Sequence, residues 1–242
     1  MKAKLKFDEY ELRARVFPAV IVTLPAIAGV YTFFSGARSV LGMAAGTVIE
    51  SAFLFLLARI ARDRGKRIQE RLYTKWGGKT TTAMLRHRDT RIDPFTKERY
   101  KHTLCSLFGL SFPTQEEELA DPAHADQVYE SAVKALIEKR RGKTYKLVFS
   151  ENCNFGFVRN LLGLKPIGLF VSAAAGLSTG AVLWHQWRNV PALWWVPAIL
   201  SIATILLLLL VTEAAARRTA EAYAEALLRT CEPSQRAPKV RS

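Results

Sequence analysis

The chain has 242 residues, 50% of them hydrophobic, and its 35 Lys plus Arg outnumber 21 Asp plus Glu to give a formal net charge of +14. The apolar residues are gathered into two blocks, Val16 to Ala58 and Pro166 to Thr212, whose only charges are Arg38, Glu50 and Arg188, so a soluble enzyme built on one large core is excluded. Collagen, coiled-coil and disulfide-scaffold classes are excluded too, because the 14 glycines have no triplet period, heptads are not sustained, and there are only 3 cysteines.

A hydrocarbon core of ~30 Å needs roughly 20 apolar residues of helix. The two blocks therefore divide into four expected spans, Val16–Phe34, Val40–Ala58, Pro166–Trp184 and Val190–Thr212. The connectors Ser35–Ser39 and His185–Asn189 are short, which predicts two tight helical hairpins and puts both termini and the middle of the chain on one side. Each connector carries one cation, Arg38 or Arg188, so the other 35 − 2 = 33 lie on the opposite face, which the positive-inside rule makes the cytoplasm. The expectation is an all-α integral membrane protein of the bacterial inner membrane: a 1–15 cytoplasmic segment, a 16–58 hairpin, a mainly α 59–165 cytoplasmic domain, a 166–212 hairpin and a 213–242 tail. Met1–Phe34 also has the basic start and apolar run of a signal sequence, but the run is longer than a signal core, and we read it as retained. On this topology Cys105, Cys153 and Cys231 all face a reducing compartment and are expected as free thiols.

In span one, Pro18 and Pro25 remove backbone donors and predict bends. In span two, Gly42-Met-Ala-Ala-Gly46, matched later by Gly176-Leu-Ser-Thr-Gly180, has the small-xxx-small spacing that lets helices approach closely, which predicts contact between spans two and three or between subunits. Glu50 is the sole ionisable residue inside a span, and a lone carboxylate in hydrocarbon costs roughly 3 kcal/mol, so it should face protein or water. Two readings stay open for it: a pore-lining or gating residue, and a hydrogen-bonded carboxyl that joins helices near Thr47 or Ser51. Trp184, Trp187, Trp194 and Trp195 fit an interfacial aromatic belt.

The region after span two is divided in charge. Arg59 to Lys101 has 14 Lys or Arg and 5 acids, whereas Ser111 to Glu130 has 6 acids and no Lys or Arg. Arg59–Tyr73 reads as an unbroken continuation of the second span. Further helices are expected at Thr96–Leu107, Pro122–Arg141 and Asn154–Leu164, with a capping box at Thr114–Glu117 and a possible strand at Tyr145–Phe149. The tail opens as an Ala-rich helix from Ala214, and Pro233–Ser242 is expected to be disordered.

Two polar clusters carry the functional expectations. Trp76-Gly-Gly-Lys-Thr-Thr-Thr82 contains Gly-Lys-Thr, but the first glycine of a phosphate-binding loop is Tyr73 here and no strand precedes it, so a nucleotide hydrolase is rejected. What remains is a turn whose amides, hydroxyls and Lys79 suit one phosphate, followed by Arg86, His87, Arg88 and Arg91, with Trp76, Tyr73, Phe95 and Tyr100 as stacking faces. Anion binding through Trp76, Lys79, Thr80, Arg86, His87, Arg88 and Arg91 competes with two plainer readings, lipid-facing charge and internal ion pairs to Asp89 or Asp93. The second cluster, Glu151–Asn160, supplies Asn152, Asn154, Arg159 and Asn160 as candidates for coupling the charged domain to the third span, or as ordinary helix-entry residues. The histidines His87, His102, His124 and His185 have no metal-ligand spacing with the cysteines and no nucleophile motif occurs, so no catalytic residue, metal or cofactor is expected.

The run Trp76–Thr82, Leu85–Asp89, Asp93-Pro94, Phe112-Pro-Thr114, Asn154–Phe157 and Arg159–Gly163 resembles a little-described family of bacterial four-span membrane proteins from anti-phage defence islands, over about residues 71–166. The resemblance implies a nucleotide-gated channel or membrane-disrupting effector working beside a nucleotidyltransferase, with a homo-oligomer, the phospholipid membrane and an oligonucleotide or cyclic nucleotide as partners. The alternatives are a constitutive ion channel or transporter, and a membrane-anchored scaffold recruiting a partner through 111–130.

Overall fold

The computed structural model describes residues 8–142, 144–186, 188 and 190–232; Trp187 and the tail from Pro233 lie outside them. Every regular element among the described residues is helical. In chain order they are α1 (Glu9–Glu11), a π-helical turn (Leu12–Val16), α2 (Phe17–Phe33), α3 (Val40–Lys75), α4 (Thr80–Ala83), α5 (Pro94–Phe108), α6 (Gln115–Ala120), α7 (Pro122–Lys139), α8 (Lys146–His185), α9 (Val196–Leu210) and α10 (Glu213–Leu228). Four stretches are long and apolar enough to cross a membrane: Glu9–Phe33, Leu41–Ala83, Lys146–His185 and Ala192–Leu210.

Local chemistry accounts for the boundaries. The Asp93 carboxylate accepts from the Thr96 amide with Pro94 in the first turn, and Gly109, at φ 64°, ends the same helix. Thr114 and Glu117 cap α6 reciprocally, as the sequence predicts. Asp121 caps α7 ahead of Pro122. The continuation of span two is present in full, because α3 runs 36 residues without a break. The third span likewise begins early, at Lys146, and this corrects the strand expected at Tyr145–Phe149. A lone strand would leave both edges unpaired, whereas a helix satisfies those amides within the segment and sets Val148 into a core.

The chain divides into two compact units: Met1–Leu72 with Cys153–Arg217, and Tyr73–Asn152 with Arg218–Ser242. The boundaries fall inside α3, α8 and α10. In the first unit, α2 packs along α9. Ala19, Val22, Leu57, Ala61, Leu161, Leu164 and Leu208 form its buried cluster. Large apolar side chains such as Leu41, Val48, Phe170, Leu177 and Leu210 stay exposed along the same helices, as a lipid-facing surface would require. Within the chain, the small-residue motifs do not join spans two and three. A Cβ at Gly46 would lie 2.7 Å from the Tyr31 hydroxyl of α2, and one at Gly176 would lie 3.2 Å from Ser201 of α9. Gly42 faces its own preceding turn, and Gly180 has open space. The close approaches are thus between elements adjacent in sequence, where short connectors already hold the helices side by side.

The second unit closes on Met84, Leu85, Leu104, Tyr129, Leu136, Leu227 and Leu228, so the end of α10 belongs to its core. Phe112 stacks on Tyr129 at a centroid distance of 5.6 Å.

Candidate functional site

The basic segment of the second unit is anchored by acids from the 111–130 stretch. Gly77 and Gly78 take φ of 75° and 130°, which only glycine adopts without strain, and they turn the chain from α3 into α4. Thr80, Thr81 and Thr82 are buried there, so Thr80 faces the interior. The guanidinium of Arg86 lies against Gly78, where a Cβ would stand 2.7 Å from Nη2. It donates in fork geometry to Asp126, Nε to Oδ1 and Nη2 to Oδ2, both at 2.7 Å. Lys79 pairs with Glu130 at 2.6 Å. Arg91 pairs with Asp89 at 2.6 Å and with Glu221 at 3.0 Å. Asp93, the other acid weighed as a partner, caps α5 through the Thr96 amide.

Beneath this loop lies a buried polar layer. Glu118 is 3% exposed and accepts from the His87 amide at 2.8 Å and from the Tyr129 hydroxyl at 2.7 Å. Burial pushes its carboxyl up, but those donors outweigh it and hold the group below the usual carboxylate range. The same burial and hydrogen bond drive the Tyr129 phenol far upward. The ammonium of Lys97, 4% exposed, donates to the carbonyls of Arg86, at 2.7 Å, and Asp89. Lys101, 3% exposed, stands 2.7 Å from His87 Nε2 and 5.4 Å from the Tyr129 ring centre. Desolvation lowers both lysines from their ordinary value.

Of the expected ligand residues, Lys79, Arg86 and Arg91 are therefore held by carboxylates, Thr80 is buried, and the His87 ring lies 3.0 Å from the Pro113 carbonyl. Arg88 is exposed; its backbone amide faces the Glu118 carboxylate, and its guanidinium has no hydrogen bond or ion pair among the described residues. Trp76 is half-buried and sits 6.1 Å from Tyr73 between ring centres. Phe95 is exposed, whereas Tyr100 is in the core. Glu118, Asp126, Lys97 and Lys101 were not among the expected site residues. Their roles depend on contacts across 8 to 40 positions, which no local pattern announces.

The first unit holds the other candidates. Glu50 is half-buried and lines a cavity of about 240 Å³ between α2, α3 and α8 whose other walls include Val22, Ile27, Phe53, Leu57 and Val171. Its carboxylate interacts with the Tyr31 phenol. Thr47 and Ser51 turn back onto the carbonyls of Met43 and Thr47, away from any role as its partner. Among the coupling candidates, Asn152 is half-buried and Asn154 exposed, while Arg159 and Asn160 come together. Asn160 is fully buried and donates to the Ala14 carbonyl at 2.6 Å. Arg159 reaches Asn160 Oδ1 at 3.3 Å and also bonds Gln69 of α3.

The chain matches no known family model, no curated protein and no solved structure.

Proposed function

We propose that this protein is a bacterial inner-membrane effector of anti-phage defence, in which two helical hairpins from several copies form a pore gated by a nucleotide or oligonucleotide on a cytoplasmic basic segment. The observation that carries the pore reading is Glu50, an ionisable residue within a span that borders a cavity of apolar surface and whose carboxylate engages the Tyr31 phenol. The ligand reading rests on Arg88, an exposed guanidinium without a partner among the described residues, beside Lys79, Arg86 and Arg91, whose present partners are carboxylates. A phosphate ligand would exchange for Asp126, Asp89 or Glu130, so binding would release acids as it engages arginines. Such an exchange gives the ligand the differential affinity for two states that gating requires.

The test is dye or ion efflux from liposomes holding the full chain, with and without cyclic and linear oligonucleotides. Nucleotide-stimulated efflux that is lost in Glu50→Gln and in Arg88→Ala is the expected result; efflux indifferent to both would overturn the reading. The second reading, a channel without nucleotide control, is favoured by those same ion pairs, since cations already neutralised need no ligand. Efflux present without nucleotide, sensitive to Glu50→Gln but not to Arg88→Ala, would select it.

A further inference from the structure

We infer that the first unit carries a binding site for the phosphate of an anionic phospholipid, between the π-helical turn before α2 and the middle of α3. The site is a cavity of about 180 Å³ lined by Arg15, Arg59 and Arg62, by Glu11, and by the apolar Val16, Phe55 and Ala58. That volume is well above what one water occupies. Three cations against one carboxylate leave an excess of two positive charges. Glu11 engages only Nη1 of Arg15. The Nε of the same guanidinium is buried and has no hydrogen-bond partner. A buried charged donor left unmet is costly, and an acceptor oxygen is what would satisfy it. Arg59 and Arg62 are exposed and form no ion pair among the described residues. The Arg59 guanidinium rests 4.9 Å from the Phe55 ring centre.

Placement selects the ligand. Val16 precedes the apolar run of α2, and Ala58 ends the apolar run of α3, so the cavity lies where hydrocarbon gives way to head groups. Phe55, Ala58, Arg59 and Arg62 recur at helical spacing on one face of α3, which puts an apolar wall next to a cationic rim. A phosphodiester between the arginines, with its acyl chains along Phe55 and the exposed Phe17, satisfies both at once. Basic pockets between membrane helices take anionic head groups in this way.

The test is native mass spectrometry of the full chain released from detergent with dioleoyl phosphatidylglycerol, dioleoyl phosphatidylcholine or inorganic phosphate added. Wild type should retain phosphatidylglycerol over phosphatidylcholine. Arg59→Gln with Arg62→Gln should weaken that retention about 30-fold, roughly fivefold for each arginine near a charged membrane surface. Lys66→Gln with Arg67→Gln removes the same charge from exposed positions outside the cavity and should change it by less than about threefold. An equal loss in both double variants would reduce the effect to general surface attraction, and no loss in the first would remove the site; either overturns the proposal. Displacement of the lipid by millimolar inorganic phosphate would assign the cavity to a free anion and overturn it as well. None of these outcomes depends on whether the protein conducts or binds nucleotide.

Discussion

Asn160 donates its side-chain amide to the Ala14 carbonyl at 2.6 Å, and the residue that would serve that carbonyl in a regular α-helix is Pro18, which has no N–H. A side chain 146 positions away thus supplies a donor that the local sequence withholds. The same asparagine faces Gly65 of α3, and Arg64 Nε reaches the Gly163 carbonyl at 3.1 Å, so three helical segments meet on one small polar joint.

Asn160→Leu should lower stability by about 2 kcal/mol, because it leaves a buried carbonyl short of a donor and places branched carbons where the backbones are close. The check is the thermal midpoint of the detergent-solubilised full chain; a shift no larger than for an exposed substitution such as Lys66→Ala would show that the joint adds nothing.

Gly65→Ala should be destabilising for a different reason. The added Cβ would fall 2.1 Å from Asn160 Oδ1 and 3.1 Å from its Cα. In a double-mutant cycle, Gly65→Ala should cost about 1 kcal/mol less when Asn160 is already Ala, since the nearest clash is then gone. Strict additivity would contradict this contact.

Arg86→Ala and Asp126→Ala should each cost about 2 kcal/mol in thermal or denaturant unfolding, the range for a charged hydrogen-bonded pair that is largely shielded. The double variant should cost less than the sum. Arg86→Lys should not restore stability, because an ammonium cannot supply the paired Nε and Nη2 contacts with Asp126.

The buried lysines give a contrast and a pH signature. Lys97→Met strands two carbonyl acceptors and should cost about 2 kcal/mol, whereas Lys101→Met should cost less than about 1. Both lysines have folded values below the ordinary 10.5 because burial disfavours the ammonium, so in that interval the unfolded chain binds more protons and stability rises with pH. Lys101→Met should flatten that rise in a series of melting curves. On the acid side the sign check gives loss: Glu118 and Asp89 are held below the usual range despite burial, by donors from His87 and Tyr129 and by Arg91 respectively. Their contribution is present above the unfolded carboxylate values and disappears as pH falls through the folded ones.

Thiol labelling should follow burial. Cys231 is buried and its thiol is pushed up to about 11 by desolvation, and Cys153 is buried as well, while Cys105 is partly accessible. Maleimide at neutral pH should modify Cys105 first and reach the other two only on unfolding. Equal rates for all three would contradict the packing around α10.

The helices were legible because their signals are local. The spans follow from length and composition, α6 from the capping box at Thr114–Glu117, and the extension of α3 from unbroken helix-forming sequence over Arg59–Tyr73. The partners of the basic segment were not legible in the same way. Arg86 finds Asp126 at a separation of 40 residues, and the nearer acids Asp89 and Asp93 gave no reason to look so far. Asp93 looks like an ion-pair partner by charge and acts as a cap, because a carboxylate three residues before a free first-turn amide meets that donor sooner than a distant guanidinium. The small-residue motifs leave their partner open for a related reason: their spacing predicts close approach without naming the neighbour, and Gly46 and Gly176 meet α2 and α9.

The π-helical turn at Leu12–Val16 also fixes the aim of α1, Glu9–Glu11. Each residue of an α-helix advances the azimuth by about 100°, and a wide turn of this kind accommodates one residue more than the regular spiral. Shortening the stretch by a single position would restore the regular spiral and swing Tyr10, whose hydroxyl stands 2.9 Å from where a Gly156 Cβ would be, off the α8 groove. The reading frame of the first helix is thus tuned to one-residue accuracy, and insertions or deletions here should be far less tolerated than in the connector at Ser35–Arg38.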